Sequence, residues 1–337
     1  MQSRMLAIVV VLGGSLAACG SDLSVVPASE ELPAAEGAND VLPWAFVLND
    51  PVPADAETPD PNERVTVPGS PLTIRRAEIN IDSGPPDWHP DSHPPMPEIV
   101  AKGGGEGALA CGYCHLPNGQ GKPENAGLAG QPYAYLVQQM EDYRNGRRRT
   151  GDTRMGPPTL MMGIGAAATA AEARIAAEYF SSIEFKPWIR VVETDSVPVT
   201  RFAGWIHEVI EDGGMEPIGT RVVEVPEDLG RTKLRDDASG FVAYVPEGAV
   251  ARGAALVTTA GDGRTASCTA CHGPDLRGLG PVPALAGRSP SYMARQLYDL
   301  KQGNRDGLWS DLMNEAVANL TVQDVVDIVA YAASLEP

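Results

Sequence analysis

Apolar residues near the end of the chain recur at helical spacing. Val325, Ile328, Val329 and Ala332 fall three or four positions apart, which places them on one face of a helix. Thr321 precedes this run, and a threonine before an apolar helical pattern is typical of an N-cap. The pattern predicts an amphipathic helix from Thr321 whose apolar face packs on a core.

Three other stretches carry helix start and stop signals. Residues 132–144 and 290–302 each have proline near the first turn and glycine just beyond the end. Thr169 and Glu172 form a capping box, and the helix that follows runs to about Ile183. These signals predict a mostly α-helical protein with irregular connections.

Two regions depart from the helical pattern. Runs at 189–192, 221–225 and 241–245 are rich in β-branched and aromatic residues between glycines and prolines, so 186–246 is predicted to be a partly β-rich insertion. Residues 20–96 hold nearly half of the prolines and many acids with little periodicity, which favours a flexible acidic tether. Its end contains Trp88, His89 and His93 among prolines, and we expect that part to wrap onto the next helices as ordered structure.

The N-terminus has the layout of an export signal. Arg4 precedes an apolar run, at 5–12, that is too short to span a bilayer, and Leu-Ala-Ala ends at Cys19. This ending resembles a bacterial lipobox, which implies that 1–19 is a signal peptide and that Cys19 is lipidated. The alternative is ordinary cleavage near Ala18, with Cys19 as a free thiol.

The other four cysteines form two identical motifs. Cys111 and Cys114 precede His115, and Cys268 and Cys271 precede His272, which is the c-type haem attachment signature. Two thiols one helical turn apart can add to two vinyl groups on one porphyrin edge, while the histidine reaches the iron. A zinc site and a redox-active disulfide are the alternatives, because both also use Cys-x-x-Cys. The histidine after both pairs favours two covalently bound haem c groups.

The motifs lie 157 positions apart, and the same shift superposes much of the surrounding sequence. Leu-Ala-Gly recurs at 128–130 and 285–287. Further matched pairs follow along the next helix: Tyr135 with Tyr292, Gln139 with Gln296, Asp142 with Asp299, Gly146 with Gly303, and Arg148 with Arg305. Duplication of one haem domain explains this repeat.

A haem iron with a histidine ligand takes a second axial ligand, and methionine is the one that suits electron carriers. Met313 stands eight residues before Thr321, and Met161 stands eight before Thr169. These two are the candidate distal ligands. Met155 and Met162 remain alternatives to Met161, because the first repeat has five extra residues before its last helix. His89, His93 and His207 could also supply an imidazole, but all three lie outside the repeat.

With Cys-x-x-Cys-His, Leu-Ala-Gly, the Tyr-x-x-x-Gln helix and a late methionine, each repeat resembles a class I cytochrome c, and the pair resembles the cytochrome c4 and c553 group. The resemblance implies two tandem helical haem domains, at 97–185 and 247–337. It also implies His115 and His272 as proximal ligands, Met161 and Met313 as distal ligands, and periplasmic electron transfer. The first repeat has Ala126 where the group usually has proline, so we expect its proximal loop to differ.

The formal charge of −18, from 44 acidic and 26 basic residues, argues against nucleic-acid binding. It favours a redox partner with a basic docking patch. We therefore expect an exported, lipid-anchored electron carrier at the periplasmic side of a bacterial membrane rather than an enzyme. The alternatives are a dihaem redox enzyme with one open haem site, and the cytochrome subunit of a larger dehydrogenase or oxidase.

Overall fold

The computed structural model describes residues 42–53, 58–81, 84–105 and 107–337. The expected signal peptide and Cys19 lie outside these residues. Within them no single helix is long and apolar enough to cross a membrane. The one helix pair that reaches the required length and composition together, Ser310–Val317 with Val322–Ser334, is bent by 119° at its break.

Two sets of five helices follow one another along the chain in the same order. The first set comprises α1 (Glu98–Ala101), α2 (Cys111–His115), α3 (Tyr133–Arg144), α4 (Gly156–Ala167) and α5 (Ala170–Ser181). After the short α6 (Leu229–Lys233), the second set comprises α7 (Ala249–Thr259), α8 (Thr269–His272), α9 (Pro290–Lys301), α10 (Ser310–Val317) and α11 (Val322–Ser334).

The helix boundaries follow the signals in the sequence. The Thr169 side chain accepts a hydrogen bond from the backbone of Glu172, and the Thr321 side chain accepts one from the backbone of Asp324. In both cases the acidic side chain also accepts from the threonine backbone, which completes a capping box at the start of α5 and of α11. α3 and α9 begin within one residue of the expected prolines and end at a left-handed glycine turn.

Strands occupy the segment between the two helical sets. They are β3 (Ile189–Thr194), β4 (Ser196–Pro198), β5 (Thr200–Ala203), β6 (Ile206–Val209), β7 (Met215–Pro217), β8 (Val223–Pro226) and β9 (Phe241–Pro246), while β1 (Arg64–Val65) and β2 (Ile74–Arg75) form an earlier hairpin. β9 is the centre of a three-stranded sheet, parallel to β3 and antiparallel to β8. The apolar runs expected to be strands lie on β3, β8 and β9.

The central strand has helices on one side and strands on the other. Ala243 and Val245 pack into the main core with α7, α9 and α11, whereas Val242 packs with Val197 and Val223. A strand covered on both faces shows a nearly continuous apolar run rather than alternation, as β9 does. The sheet thus joins the second set of helices to the strands that lie between the two sets.

The described part of the proline-rich segment is packed. Leu42, Trp44 and Phe46 are buried in the main core, and the Phe46 ring lies 5.3 Å from the Tyr298 ring. Trp88 is fully buried and donates a hydrogen bond to the Leu234 carbonyl. For Leu42, Trp44 and Phe46 the expected flexible tether is wrong, because large apolar side chains anchor a segment whose prolines restrict its backbone.

Candidate cofactor site

Both Cys-x-x-Cys-His motifs form one short helical turn, α2 and α8, so that each pair of thiols lies on one side of its turn. The chain then leaves the helix through a residue with positive φ, Leu116 at 65° and Gly273 at 84°. A leucine in this conformation is strained, since only glycine adopts it without steric conflict. Both turns therefore hold the same shape, although the first one uses a side chain poorly suited to it.

The two motif histidines are oriented in the same way. Nδ1 of His115 donates to the Ala126 carbonyl and Nδ1 of His272 donates to the Pro283 carbonyl, each at 2.8 Å. With Nδ1 protonated, Nε2 of each ring keeps its lone pair, and this is the arrangement found in metal-ligating histidines. Both rings are buried, and burial lowers the pKa of each below its usual range, which favours the neutral imidazole.

We expected the loop beside His115 to differ because Ala126 replaces the usual proline, but the hydrogen bond from Nδ1 of His115 is the same as that of His272. Ala126 occupies the position of Pro283, but the acceptor is a backbone carbonyl and needs no proline ring. The surrounding hydrogen bonds also repeat, since Gly121 donates to the His115 carbonyl at 3.0 Å and Gly278 donates to the His272 carbonyl at 2.8 Å. The backbone alone is sufficient to orient both rings.

None of the four motif cysteines forms a disulfide. Burial raises the pKa of Cys111 to about 12 and raises that of Cys268 above its usual range. Redox-active cysteines are instead found where the thiolate is stabilised and the pKa is lowered. The raised pKa values of Cys111 and Cys268 therefore disfavour a thioredoxin-like role and favour covalent attachment.

One cavity of about 980 Å³ is lined by both motifs. Its lining includes Met161 and Met162 from α4 and Met313 from α10, so the structure brings candidate distal ligands to the same cavity as both histidines. Met155 is not among the lining residues; it is fully buried in the main core. The geometry thus separates Met155 from the other candidates.

Hydrogen bonds between the helices define how the two repeats correspond beyond the extra five residues. Gly130 donates to the Phe180 carbonyl at 3.1 Å, and Gly287 donates to the Ala332 carbonyl at 2.9 Å. The donors are 157 positions apart and the acceptors 152, so the extra residues fall between them. Counted back from the two threonine caps, Met161 and Met313 stand at the same distance, as the sequence spacing also has it.

Four buried arginines line the cavity: Arg148, Arg288, Arg295 and Arg305. Among the described residues none of them forms an ion pair with a carboxylate; their guanidinium groups donate to carbonyl, amide and phenol oxygens. Nε of Arg288 is buried without a partner there. Burial lowers the pKa of Arg288 to about 10, and it remains a cation at neutral pH. Buried guanidinium groups without a direct ion-pair partner favour an anionic occupant of the cavity.

Sequence reasoning found Arg148 and Arg305 only as repeat positions, and it missed Arg288 and Arg295. The two repeat arginines form a crossed network. Arg148 donates to Gln139 of its own repeat and to Tyr292 and Gln296 of the other. Arg305 in turn donates to Gln296 at 3.2 Å and to Gln139 at 2.7 Å. The matched side chains of the long helices therefore join the two helical sets.

The remaining histidines do not line the cavity. His207 lies on β6, bonded to the Thr200 hydroxyl and near the Trp44 carbonyl, and burial lowers its pKa to about 4. His89 and His93 lie in the segment before α1 and contact Asp236 and Asp87. These positions disfavour all three as distal ligands.

The cavity residues fit haem c. Paired thiols and an adjacent neutral imidazole match the attachment chemistry, and thioether sulfurs lie on the wall of the same cavity. The buried guanidinium groups suit the carboxylates of the porphyrin, which are the anionic groups that such cations bind best.

Comparisons with known proteins agree with this chemistry. A sequence profile of the family described as cytochrome c matches residues 250–336. Cytochrome c-554(548) of Halomonas halodenitrificans is 37% identical over 78 residues, which are 23% of this chain and 94% of that protein. Cytochrome c4 of Pseudomonas aeruginosa is 42% identical over 76 residues, which are 22% of this chain and 36% of the relative. The chain thus matches little more than a third of that cytochrome c4.

One relative aligns with a longer part of the chain, and its name refers to the enzyme from which it accepts electrons. The thiosulfate dehydrogenase electron acceptor of Thiomonas intermedia is 26% identical over 233 residues, which are 67% of this chain and 79% of that protein. The short alignments are more similar but cover single repeats at most, whereas this one spans more than one repeat. The chain therefore belongs to the cytochrome c family, and its relatives include the cytochrome c4 group that its motifs resemble.

Proposed function

We propose that the protein is a dihaem electron carrier with two haem c groups, one on each of two cytochrome c domains at 97–185 and 247–337. The thioether links are assigned to Cys111, Cys114, Cys268 and Cys271, and the axial ligands to His115, Met161, His272 and Met313. Bound haem supplies the one-electron change of its iron. The protein's own residues would orient the two proximal imidazoles and would supply one methionine thioether to each haem iron.

The observation that carries the proposal is the repeated orientation of the histidines on one shared cavity. Each Nδ1 bond fixes the tautomer and directs a lone pair from Nε2, and the cavity is lined by methionines from the matching helices α4 and α10. Electron transfer is favoured when both axial positions are filled, because no site is then left open for a substrate. This supports a carrier over an enzyme with one open haem.

The test is the optical spectrum of the purified oxidised holoprotein with its haem content per chain. We expect two haems, both low-spin, and a near-infrared band of methionine ligation at two-haem strength. Met161→Ala and Met313→Ala are each expected to halve the band, while Met162→Ala serves as the matched control and leaves it unchanged. Halving by Met162→Ala instead would reassign the ligand. A half-strength band in the unaltered protein would point to one open iron and to the enzyme alternative.

A second candidate function is electron acceptor for a dehydrogenase. It is favoured by the alignment over 79% of a thiosulfate dehydrogenase electron acceptor. In this view the insertion at 186–246 provides a contact surface for the enzyme. Reduction of the holoprotein by a thiosulfate dehydrogenase with thiosulfate, followed at the haem bands, tests it, and no reduction beyond the enzyme-free rate would exclude that donor.

We further propose export to the periplasmic side of the membrane, with an anchor on Cys19 and a partner that carries a basic patch. The formal charge of −18 supports electrostatic docking. Cys19→Ala is expected to release the protein from the membrane fraction, and a membrane-bound variant would contradict the anchor. An association rate that does not fall as ionic strength rises would contradict the charge pairing.

A further inference from the structure

A second cluster of ligand-type side chains lies outside the cofactor cavity. His89 directly precedes the 3-10 turn Pro90–Ser92, while Asp236 and Asp237 follow α6. Nε2 of His89 is 3.0 Å from Oδ1 of Asp236 and 3.9 Å from Oδ1 of Asp237, and the three ligand atoms all lie within 4.8 Å of one another. Segments separated by 147 positions thus bring one imidazole and two carboxylates to a single point.

Asp237 gives the strongest indication that something binds there. Its side chain is only 1% exposed, and neither carboxylate oxygen accepts a hydrogen bond from any described residue. Burial raises the pKa of Asp237 to about 6. An ionised carboxylate without hydrogen bonds is costly inside a protein unless a cation compensates it. The packing places the Asp237 carboxylate near His89, and no arginine or lysine among the described residues forms an ion pair with it.

Basic side chains outside the cluster pair with two of the three carboxylates in this region, those of Asp87 and Asp236. The carboxylates are those of Asp87, Asp236 and Asp237. Arg231 donates to Oδ2 of Asp236 at 2.6 Å, while Oδ1 accepts from the Ala238 backbone at 2.9 Å and lies 3.0 Å from Nε2 of His89. His93 pairs with Asp87 at 3.2 Å; although burial opposes it, the hydrogen bonds to Asp87 and the Pro94 carbonyl raise the pKa of His93. Of the three carboxylates, only that of Asp237 accepts no hydrogen bond from a basic side chain among the described residues.

We propose that His89, Asp236 and Asp237 bind one divalent transition-metal ion of the zinc class. One imidazole nitrogen with two carboxylate oxygens suits Zn²⁺, whereas Ca²⁺ and Mg²⁺ prefer oxygen ligands throughout. Ligand atoms at about 2.0–2.1 Å from a tetrahedral ion are about 3.3 Å apart. The separations from His89 lie on either side of that value. The His89 ring is 17% exposed, so a water can complete the coordination and an ion can enter.

The ion would link the segment before α1 to residues in and just after the first haem attachment motif. The Asn118 side chain donates to the Asp237 carbonyl, and Arg235 donates to the Tyr113 carbonyl and stacks on the Tyr113 ring. Tyr113 lies between the two cysteines of the first motif. The cluster therefore adjoins the first motif and has no counterpart beside the second among the described residues.

Zinc binding to the purified holoprotein tests the proposal. After chelation and dialysis, calorimetric titration with Zn²⁺ is expected to show one site per chain, and metal analysis to show one zinc beside the haem iron. His89→Gln and Asp237→Asn are each expected to weaken binding at least about tenfold. Asp91→Asn is the matched control, because Asp91 is an exposed carboxylate in the same turn, and it is expected to leave affinity unchanged.

X-ray absorption at the zinc edge of the unaltered protein decides the ligands without any substitution. We expect nitrogen and oxygen neighbours at about 2.0–2.1 Å with an imidazole signature and no sulfur at about 2.3 Å. Sulfur ligation, the absence of a stoichiometric site, or affinity unchanged in His89→Gln and Asp237→Asn would each overturn the proposal. Haem absorbance recorded on the same samples shows that the cytochrome is loaded, so either proposal can fail alone.

Discussion

The crossed network between the two helical sets allows a quantitative prediction for Arg148→Met. Methionine keeps most of the aliphatic stem but removes the charge and its donors. Arg148 donates to the Gln139 amide oxygen at 2.9 Å, to the Tyr292 hydroxyl at 2.9 Å and to the Gln296 amide oxygen at 3.0 Å. All three bonds are lost in the variant, two of them between the repeats.

The cost is smaller than the sum of three bonds. Arg305 still donates to both glutamine oxygens, so only the Tyr292 hydroxyl loses its guanidinium partner. A hydrogen bond to a charged group contributes about 1.5–3 kcal/mol, and removal of the buried cation also relieves its desolvation. We therefore expect Arg148→Met to lower the free energy of unfolding by about 1–3 kcal/mol.

Guanidinium chloride unfolding of the holoprotein, followed by far-ultraviolet circular dichroism, measures this change. Arg149→Met is the control: the Arg149 side chain is half exposed, lies 3.7 Å from Asp306 and donates to the Gly146 and Gly303 carbonyls. Because water competes for these exposed contacts, its loss is expected to cost less than about 0.5 kcal/mol. If both variants unfold at the same denaturant concentration, the network does not stabilise the fold. A double-mutant cycle with Gln139→Leu is expected to give a coupling energy of about 0.5–3 kcal/mol.

Two further predictions concern the second helical set. Gly253→Ala places a methyl group against the Asp327 carbonyl where α7 crosses α11, and should lower the unfolding free energy by several kcal/mol; Gly163→Ala, in open space on α4, should raise it by about 0.5–1 kcal/mol. Equal effects in chemical denaturation would contradict the close crossing. Burial raises the pKa of Asp299 to about 6, so its contribution to stability is fully present below the unfolded value near 3.8 and falls by about 3 kcal/mol as pH rises through 6. Asp299→Asn should remove this decline, and stability–pH profiles that remain parallel between pH 4 and 6 would contradict it.

Local signals located the helices and the cofactor motifs because their chemistry is contained in a few adjacent residues. A capping box needs four positions, and Cys-x-x-Cys-His needs five. The repeat then supplied the longer-range register, which the paired bonds of Gly130 and Gly287 reproduce. Met155 could not be separated from Met161 in the same way, since sequence spacing does not tell which methionine faces a cavity and which packs into the core.

Other features depend on contacts between distant segments. His89 and Asp236 are 147 positions apart, and no periodicity connects them. Arg295 donates to the Ala45 carbonyl, 250 positions away, so neither its burial nor the packing of Leu42, Trp44 and Phe46 could be read from composition. The composition of a proline-rich, acidic stretch resembles that of a disordered segment, even where a few large apolar residues in it pack into a core.

The crossed network has the form of an isologous contact, in which each repeat presents the same patch to the other. Backbone bonds continue this symmetry, since Arg149 donates to the Asn304 carbonyl and Asp306 donates to the Arg147 carbonyl. In a dimer of identical chains, a position near the two-fold axis would face its own copy.

Arg149 and Asp306 are such equivalent positions, and they carry opposite charges. Self-association of either half would bring arginine near arginine, or aspartate near aspartate, where the joined chain has an attractive pair. The two halves of the shared surface are therefore not identical in charge at this position, and the joined chain avoids a like-charge contact that a pairing of identical halves would contain.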